Sequence, residues 1–305
     1  MKKLLIALFL VSLTVFAGLS GCGTAQQLQP GTSPAEAEVP ADAGPEPLTE
    51  LTFPGGNVYP LSAERVDLSG LRHEEVDGAA ALLRQMPDLR EVDLGLQDGL
   101  KQQEAAEEAE AAAGHLPSAG ARGLTWEDVR TLQEACPEAD VEYRFTLFGK
   151  NFSTLDTEMD FRHVEMDDEG AAVREVLPCM TKCTLLDMDF TGVSSAKMAE
   201  IRDAYPDMKV VWRIWFGSDC SVRTDVERIL ASNLNHALTD DNTEDLKYCT
   251  KVRLLDIGHN FMLTNFSFLE YMPDLEVAVI CITGLEDLTP LANHEKLEYL
   301  ENIPE

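Results

Sequence analysis

The chain has 305 residues, of which 45% are hydrophobic, and its 24 Lys and Arg against 54 Asp and Glu give a formal net charge of −30. A hydrophobic fraction of this size supports a substantial core and excludes wholesale disorder. The negative charge repels phosphate backbones and anionic lipid headgroups. Nucleic acid is therefore excluded as a partner, and so is membrane binding by charge.

The first 21 residues have the composition of a bacterial export signal. Lys2 and Lys3 precede an apolar run over residues 4–17, which is too short for a comfortable membrane span. Residues 19–22, Leu-Ser-Gly-Cys, resemble a bacterial lipobox. This resemblance implies that Cys22 is the lipid-modified first residue of a mature protein anchored outside the cytoplasm to the bacterial cell membrane. An ordinary cleaved signal with a chance cysteine is the alternative.

Residues 22–50 then form a segment rich in Pro, Ala and Glu. This composition cannot bury a core and predicts a flexible tether. Anchor and tether together predict that residues 51–305 form a domain held off a membrane surface.

Short strands and helices alternate in the predicted domain. Segments rich in β-forming residues predict strands over residues 91–95, 141–149, 184–190, 210–217, 253–258 and 276–282. Helical spacing of apolar residues predicts helices over residues 76–86, 125–135, 169–177 and 194–204, with Thr125 and Ser194 as N-caps. An Ala- and Glu-rich stretch around residues 97–123 is predicted to be an exposed insertion.

A leucine ladder recurs near the C-terminus with steps of about 22 residues. Its three copies are Val252-x-x-Leu255-x-Ile257-x-x-Asn260, Leu275-x-x-Ala278-x-Ile280-x-x-Thr283 and Leu297-x-x-Leu300-x-Asn302. The ladder resembles a leucine-rich repeat, and residues 282–291 resemble the return segment of internalin-like repeats. The resemblance implies an α/β solenoid with short parallel strands on its concave face and helices or loops on its convex face.

A longer repeat spans several of these coils. Residues 129–144 match residues 198–213, so that Val141 corresponds to Val210 and Arg144 to Arg213. The offset is about three times the ladder step, so the simplest explanation is the duplication of a three-coil block.

Six cysteines follow Cys22: Cys136, Cys179, Cys183, Cys220, Cys249 and Cys281. The repeat alignment places Cys136, Cys183 and Cys249 where other copies carry apolar residues, and a free cysteine packs like one. Buried free thiols are therefore expected. Disulfides, which an extracytoplasmic location permits, and a zinc site at Cys179-x-x-x-Cys183 are the alternatives.

Catalytic sequence signatures are missing from the chain. It has no Gly-x-Ser-x-Gly, no His-Glu-x-x-His, no phosphate loop and no dinucleotide fingerprint, and its six histidines lack metal-ligand spacing. We therefore expect no enzyme activity, no cofactor and no metal.

Strand alternation predicts a ligand-binding face. In each strand, the residue between two inward-pointing apolar residues points to the concave side. Stacked strands align these residues in a column, which contains four aspartates, and a fifth aspartate lies two residues after one of them. The five residues are Asp67, Asp93, Asp187, Asp256 and Asp189. Stacked like charges destabilise a sheet, which a cationic ligand would offset. The alternative is that Asp is a common filler of this repeat position.

An aromatic strand supplies a second candidate. In residues 210–217, alternation sends Trp212 and Trp215 to opposite faces and puts Arg213 beside Trp215. An exposed Trp–Arg pair suits a binding hot spot. Structural packing is the alternative.

The sequence therefore predicts a membrane-anchored extracytoplasmic protein whose repeat surface recognises a protein or peptide, with a glycan as a further ligand class. A structural spacer that self-associates through the C-terminal coil, at Leu297 and Leu300, is one alternative. A glycan hydrolase with Asp187 and Asp256 as its acid and base is the other.

Overall fold

The computed structural model describes residues 49–96, 123–232 and 237–302. The predicted signal segment, Cys22, almost all of the tether and almost all of the 97–123 insertion lie outside these residues. None of the described helices combines the length and the hydrophobicity that a membrane span requires.

The first block of the described chain contains a small hairpin and a four-stranded sheet. The hairpin strands are β1 (Glu50–Thr52) and β2 (Val58–Pro60). The sheet and its helices follow as β3 (Arg65–Asp67), α1 (Val76–Leu83), β4 (Glu91–Leu96), α2 (Trp126–Ala135), β5 (Asp140–Leu147) and β6 (Lys150–Ser153). Strands β3, β4 and β5 are parallel, and β6 returns antiparallel to β5.

The second block repeats this arrangement. It contains β7 (Glu158–Asp160), α3 (Ala171–Val176), β8 (Leu185–Asp187), α4 (Ser195–Ala204) and β9 (Lys209–Val211), followed by β10 (Arg213–Phe216) and β11 (Cys220–Arg223). Strands β7, β8 and β9 form a parallel sheet, and β10 pairs antiparallel with β11. The predicted single strand over residues 210–217 is therefore two strands separated at Trp212.

The third block is a parallel four-stranded sheet. Its strands are β12 (Arg228–Leu230), β13 (Leu254–Asp256), β14 (Val277–Val279) and β15 (Tyr299–Glu301). Short 3-10 helices connect them, at Asp240–Asn242, Glu244–Tyr248, Ser267–Tyr271 and Thr289–Leu291. The described chain is thus mixed α/β, with its parallel strands in three separate sheets.

Strand register shows that the first two blocks are equivalent. Val141 pairs with Val92 in the first sheet, and its repeat partner Val210 pairs with Leu186 in the second. All four side chains are buried, because alternation along each strand turns these positions inward. Full burial of one such aliphatic side chain stabilises the fold by about 1.5–3 kcal/mol.

A buried threonine stabilises the start of each long hairpin. The hydroxyl oxygen of Thr154 accepts the backbone N–H of Tyr143 at 2.9 Å and donates to the carbonyl of Val141 at 2.7 Å. In the second block, Thr224 accepts the N–H of Trp212 at 3.2 Å. The two hairpins therefore leave their sheets through the same local structure.

The residues at the asparagine position of the ladder form side-chain hydrogen bonds with backbone groups of the turn that follows the strand. The amide of Asn260 donates to the carbonyl of Ile257 at 2.8 Å, and its oxygen accepts the N–H of Leu238 at 3.2 Å. Thr191 and Thr283 each donate to the carbonyl three residues earlier, at 3.0 and 2.8 Å. Asn and Thr therefore serve the same purpose here, which explains why this position varies between copies.

Both predicted N-caps, Thr125 and Ser194, stand at the starts of their helices, but only one of them caps its helix with its side chain. Thr125 accepts the N–H of Asp128 and closes a capping box, as an N-cap should. Ser194 occupies the N-cap position of α4 without a capping hydrogen bond, because its hydroxyl donates to Glu169 at 2.9 Å instead.

All six described cysteines are free thiols, and five of them are buried. Burial raises the pKa of Cys136 and of Cys179 to about 11, which keeps both protonated near neutral pH. Cys220, on β11, is half-buried.

Candidate functional site

The five aspartates predicted to form one acidic column lie in three sheets. Asp67 and Asp93 are direct neighbours on β3 and β4. Asp187 ends β8, Asp189 follows it, and Asp256 ends β13. The structure therefore brings them together as two pairs and one separate residue.

The first pair already has cationic partners. Asp93 accepts from Arg144 at 3.0 Å and lies 3.7 Å from Arg65. The backbone N–H of Ser69 donates to Asp67 at 2.9 Å and lowers the pKa of that carboxyl.

The second pair is buried between two arginines. Asp187 and Asp189 are 7% and 5% exposed. Arg213 holds Asp189 with a two-pronged ion pair, Nε to Oδ1 at 2.9 Å and Nη2 to Oδ2 at 3.1 Å. Nη1 of Arg223 donates to both oxygens of Asp187, at 3.2 and 3.0 Å, and lies 3.5 Å from Asp189. These carboxylates are neutralised within the protein, which corrects the expectation that they await a cationic ligand.

Further ion pairs extend this network on both sides. Arg162 donates to both oxygens of Asp160, at 3.0 and 2.7 Å, and this hydrogen bonding lowers the pKa of Asp160 to about 2. Burial alone would lower the pKa of Arg223, but hydrogen bonds to Asp225 and Asp187 raise it above its ordinary value. The network therefore keeps Arg223 charged and holds it in place.

Aromatic rings cover the outer side of this network. We call His163, Phe190, Arg213 and Trp215 the arginine–aromatic surface. The guanidinium of Arg213 lies 4.4 Å from the ring centroid of Phe190, and His163 stacks on that ring at 4.9 Å. Trp215 meets Phe190 edge-on at 6.4 Å. Trp215 is 61% exposed and Phe190 42%, whereas Trp212 is buried in the core.

Backbone geometry makes the ring positions recur. His163 and Phe190 each follow a strand by three residues and have a φ of about 60°, in the left-handed region. His259 and Ile282 adopt the same conformation after β13 and β14. The same turn conformation thus recurs in these four copies, although it strains a bulky residue. The second block uses it to place two stacked rings at the carboxyl ends of neighbouring strands.

A surface groove adjoins the arginine–aromatic surface and has a volume of about 570 Å³. Phe190, Arg213 and Trp215 line it together with Glu165 and Asp245. Ser195, at its edge, donates to Asp245 at 2.8 Å. The groove thus combines apolar rings with fixed charges of both signs, which are the usual components of a specific recognition site.

Asp256 belongs to a different environment. On its strand face, its neighbours are Leu230 of β12 and Val279 of β14. Asp256 and Asp187 therefore lie in different sheets, and both oxygens of Asp187 accept from Arg223. Asp187 is therefore already engaged by an arginine and is not an open carboxyl group of the kind that glycan hydrolysis uses. Among the described residues, no three His, Cys, Asp or Glu side chains are grouped closely enough to hold a metal ion.

The sequence pattern did not indicate three residues of the site: His163, Phe190 and Arg223. Arg223 lies directly opposite Arg213 in the β10–β11 hairpin, so its role depends on a return strand that was not predicted. His163 and Phe190 occupy the position before the asparagine slot of the ladder. The recurrence of that position along the ladder was the sequence signal that could have indicated these two residues.

Comparison with known proteins adds little to this geometry. No protein-family model and no curated protein match the chain. Internalin C2 from Listeria monocytogenes has 14% identity and a TM-score of 0.19, with 59% of this chain and 75% of that chain covered. An internalin F from the same organism has 13% identity and a TM-score of 0.16, with 72% of this chain and 49% of that chain covered. Likenesses at this level carry no weight for the function of this chain.

Proposed function

We propose that the chain is an extracytoplasmic leucine-rich repeat protein that is lipid-anchored through Cys22. In this proposal, the three parallel sheets are consecutive parts of one solenoid, with the strands on the concave side. The recurring ladder, the in-register strands and the common turn at Asn260, Thr191 and Thr283 support it.

The proposed function is recognition of a protein or peptide by the arginine–aromatic surface. Its main support is the exposure of Trp215 beside a charge network that holds Arg213 in place. A large side chain that is already ordered loses little conformational entropy on binding, and Trp and Arg are the residues that most often dominate binding energy.

A glycan is the competing ligand class, because an exposed indole beside hydrogen-bonding groups also suits a sugar. Self-association through the C-terminal coil is a further candidate, because Leu300 is 40% exposed while its strand neighbour Ala278 is fully buried. A capture experiment on the full chain distinguishes both candidates from a protein or peptide partner.

The full chain would be immobilised and exposed to secreted and surface extracts, with and without protease pretreatment of the extract. The variant Phe190→Gly removes a ring from the arginine–aromatic surface and relieves the left-handed strain. His259→Gly is the matched control, since it makes the same backbone change at the equivalent turn of the third sheet. Trp215→Ala is tested alongside them.

We expect a protease-sensitive partner that His259→Gly retains and that both Phe190→Gly and Trp215→Ala lose. A protease-resistant partner with the same dependence would replace the peptide with a glycan. A partner that all variants retain, or recovery of nothing but the chain itself, would overturn the assignment to this surface.

The anchor is tested separately by labelling growing cells with a radioactive fatty acid. We expect label on the wild-type chain and none on Cys22→Ser, which should be released from the membrane fraction. Equal membrane retention of the two chains would contradict lipid anchoring through Cys22.

A further inference from the structure

The groove of about 570 Å³ beside the arginine–aromatic surface is built by residues of two blocks. In the second block, Glu165 follows β7, Phe190 follows β8 and Trp215 lies on β10. Asp245 comes from the 3-10 helix Glu244–Tyr248 of the third block. The groove therefore brings charged groups and aromatic rings from separate parts of the chain to one space.

Arg213 is the one basic residue among the described residues that line this groove, and its donors are already engaged. Nε and Nη2 donate to Asp189, and Nη1 donates to the hydroxyl of Ser221 at 3.2 Å. Asp189, which neutralises this guanidinium, is only 5% exposed. An anionic ligand would have to compete with this buried ion pair, and breaking such a pair is costly.

The two carboxylates of the groove, Glu165 and Asp245, have no ion-pair partner in the part of the chain that the structure describes. Glu165 is exposed, and Asp245 accepts a hydrogen bond from the uncharged hydroxyl of Ser195 at 2.8 Å. Lys247, two residues after Asp245, pairs with Glu244 at 2.7 Å instead. The groove thus carries negative charge that the described cations do not balance. Neither carboxylate belongs to the acidic column predicted from strand alternation.

The indole of Trp215 is the uncovered ring of the surface. Phe190 already has the guanidinium of Arg213 at 4.4 Å from its centroid and His163 stacked on it at 4.9 Å. Trp215 meets Phe190 edge-on and is 61% exposed, and no cation of the described residues lies over its ring. The face of a Trp ring attracts a cation more strongly than that of any other aromatic side chain.

We propose that this groove receives the side chain of an arginine or a lysine from a protein or peptide partner. The cationic end stacks on Trp215 and pairs with Glu165 or Asp245, while the apolar stem packs along the rings. The net charge of −30 also attracts a basic partner and speeds the encounter. This inference rests on the function proposed for the arginine–aromatic surface and specifies the chemistry of its partner.

The test uses the indole N–H resonances of the ¹⁵N-labelled full chain, which has three tryptophans. The probe is N-acetylarginine methylamide, and N-acetylcitrulline methylamide is its uncharged counterpart of nearly the same shape. The Trp215 resonance is assigned with Trp215→Phe. We expect a saturable shift of this resonance with the arginine probe, at a Kd on the order of 1 mM, and binding of the citrulline probe about tenfold weaker or less. The resonance of Trp126, in the first block, should stay in place.

The double variant Glu165→Gln/Asp245→Asn removes both carboxylates and keeps an oxygen that can accept from Ser195. It should bind the arginine probe about fivefold more weakly than wild type. The matched control is Glu295→Gln/Glu298→Gln, which removes the same charge at two exposed positions near β15 and should change the Kd by less than about twofold. An unchanged circular dichroism spectrum reports that each variant is folded.

Three results would overturn the proposal. The first is a Trp215 resonance that does not move with the arginine probe at concentrations up to about 50 mM. The second is equal binding of the citrulline probe. The third is equal weakening by the two double variants, which would assign the effect to the overall charge of the chain.

The captured partner separates this inference from the function on which it rests. Loss of that partner from Trp215→Ala, with wild-type affinity in Glu165→Gln/Asp245→Asn, would overturn the inference and leave the proposed function standing. If both variants retain the partner while the arginine probe binds as expected, the assignment of that partner to this surface is overturned instead. The preference of the groove for a cationic side chain would then be supported.

Discussion

The two duplicated blocks share three parallel strands followed by an antiparallel hairpin, and they differ in what they place at the carboxyl ends of their strands. Arg144 and Arg213 are equivalent, and each forms an ion pair with an aspartate. The side chain of Arg144 is 47% exposed, however, whereas that of Arg213 is 20% exposed. Counted along the chain from the equivalent Asp93 and Asp187, Gly95 corresponds to Asp189 and Leu96 to Phe190, although β4 is irregular between Asp93 and Leu96. Thr146 corresponds in turn to Trp215.

This difference explains why a surface site forms in one block only. The second block adds a buried carboxylate that fixes the arginine and rings that cover it. The first block has a more exposed arginine, paired with Asp93, and no equivalent aromatic pair among its described residues. A repeat thus supplies the scaffold twice, and a few substitutions at equivalent positions decide which copy becomes a candidate binding surface.

The largest expected difference between the blocks concerns the two arginines. Arg213→Ala leaves Asp189 buried with only Arg223 nearby, and we expect a loss of about 3 kcal/mol in the free energy of unfolding. Arg144→Ala removes an exposed pair and should cost less than about 1 kcal/mol. Urea unfolding of both variants checks this, and equal losses would remove the physical basis of the comparison.

The two threonines test how alike the blocks are beneath the surface. Thr154→Val leaves the N–H of Tyr143 and the carbonyl of Val141 without their side-chain partner, and we expect a loss of about 2 kcal/mol. Thr224→Val affects one described hydrogen bond, to Trp212, and should cost about 1 kcal/mol. Thermal unfolding of both variants measures the difference. A larger loss for Thr224→Val would show that the two threonines are not equivalent.

Gly95 explains why the first block cannot simply acquire the carboxylate of the second. Its φ is +78°, and a Cβ there would lie 2.9 Å from the Cβ of Ser69. Gly95→Ala should therefore cost about 2 kcal/mol, from strain and from displacement of the neighbouring chain.

Gly192→Ala in the second block is the matched control for Gly95→Ala. Its φ of +80° is similar, but an added Cβ would meet no atom within 4 Å. We expect about 1 kcal/mol from backbone strain alone. Comparable destabilisation by the two substitutions would show that the contact with Ser69 is easily relieved.

The smallest effect is a pH dependence at the edge of the network. The pKa of Asp160 is lowered to about 2 by Arg162, so its contribution is present above the unfolded value near 4 and is lost as the pH falls toward 2. Both side chains are substantially exposed, so the contribution is less than about 1 kcal/mol. Asp160→Asn should be slightly less stable than wild type at pH 7 and equally stable near pH 2. A stability gap that persists at pH 2 would assign the effect to another cause.

Local patterns were enough to predict much of the fold. The inward positions of β4, β8 and β13 follow from alternation, and Thr125 marks a helix start because its hydroxyl has a backbone donor within reach. The return strands β6 and β11 were not predicted, because their pairing depends on turn geometry rather than on a hydrophobic run. The 3-10 connections of the third sheet were not predicted either.

The candidate site was predicted only in part for the same reason. Arg213 and Trp215 share a strand, so alternation alone puts them on one face. Arg223 and Phe190 reach them through a hairpin partner and a turn in the left-handed region, which are contacts between distant parts of the sequence. The alternation of side chains along a strand also does not show that Asp187 and Asp189 are already paired with arginines.

The central claim is that binding energy is concentrated at the arginine–aromatic surface. Its most direct test is the Kd of the captured partner for Trp215→Ala and for Tyr299→Ala, which removes a comparably exposed aromatic ring from β15 at the C-terminal coil. We predict a loss of affinity of about thirtyfold for Trp215→Ala and a change within about twofold for Tyr299→Ala. Equal losses, or a larger one for Tyr299→Ala, would contradict this claim and move the binding surface to the C-terminal sheet.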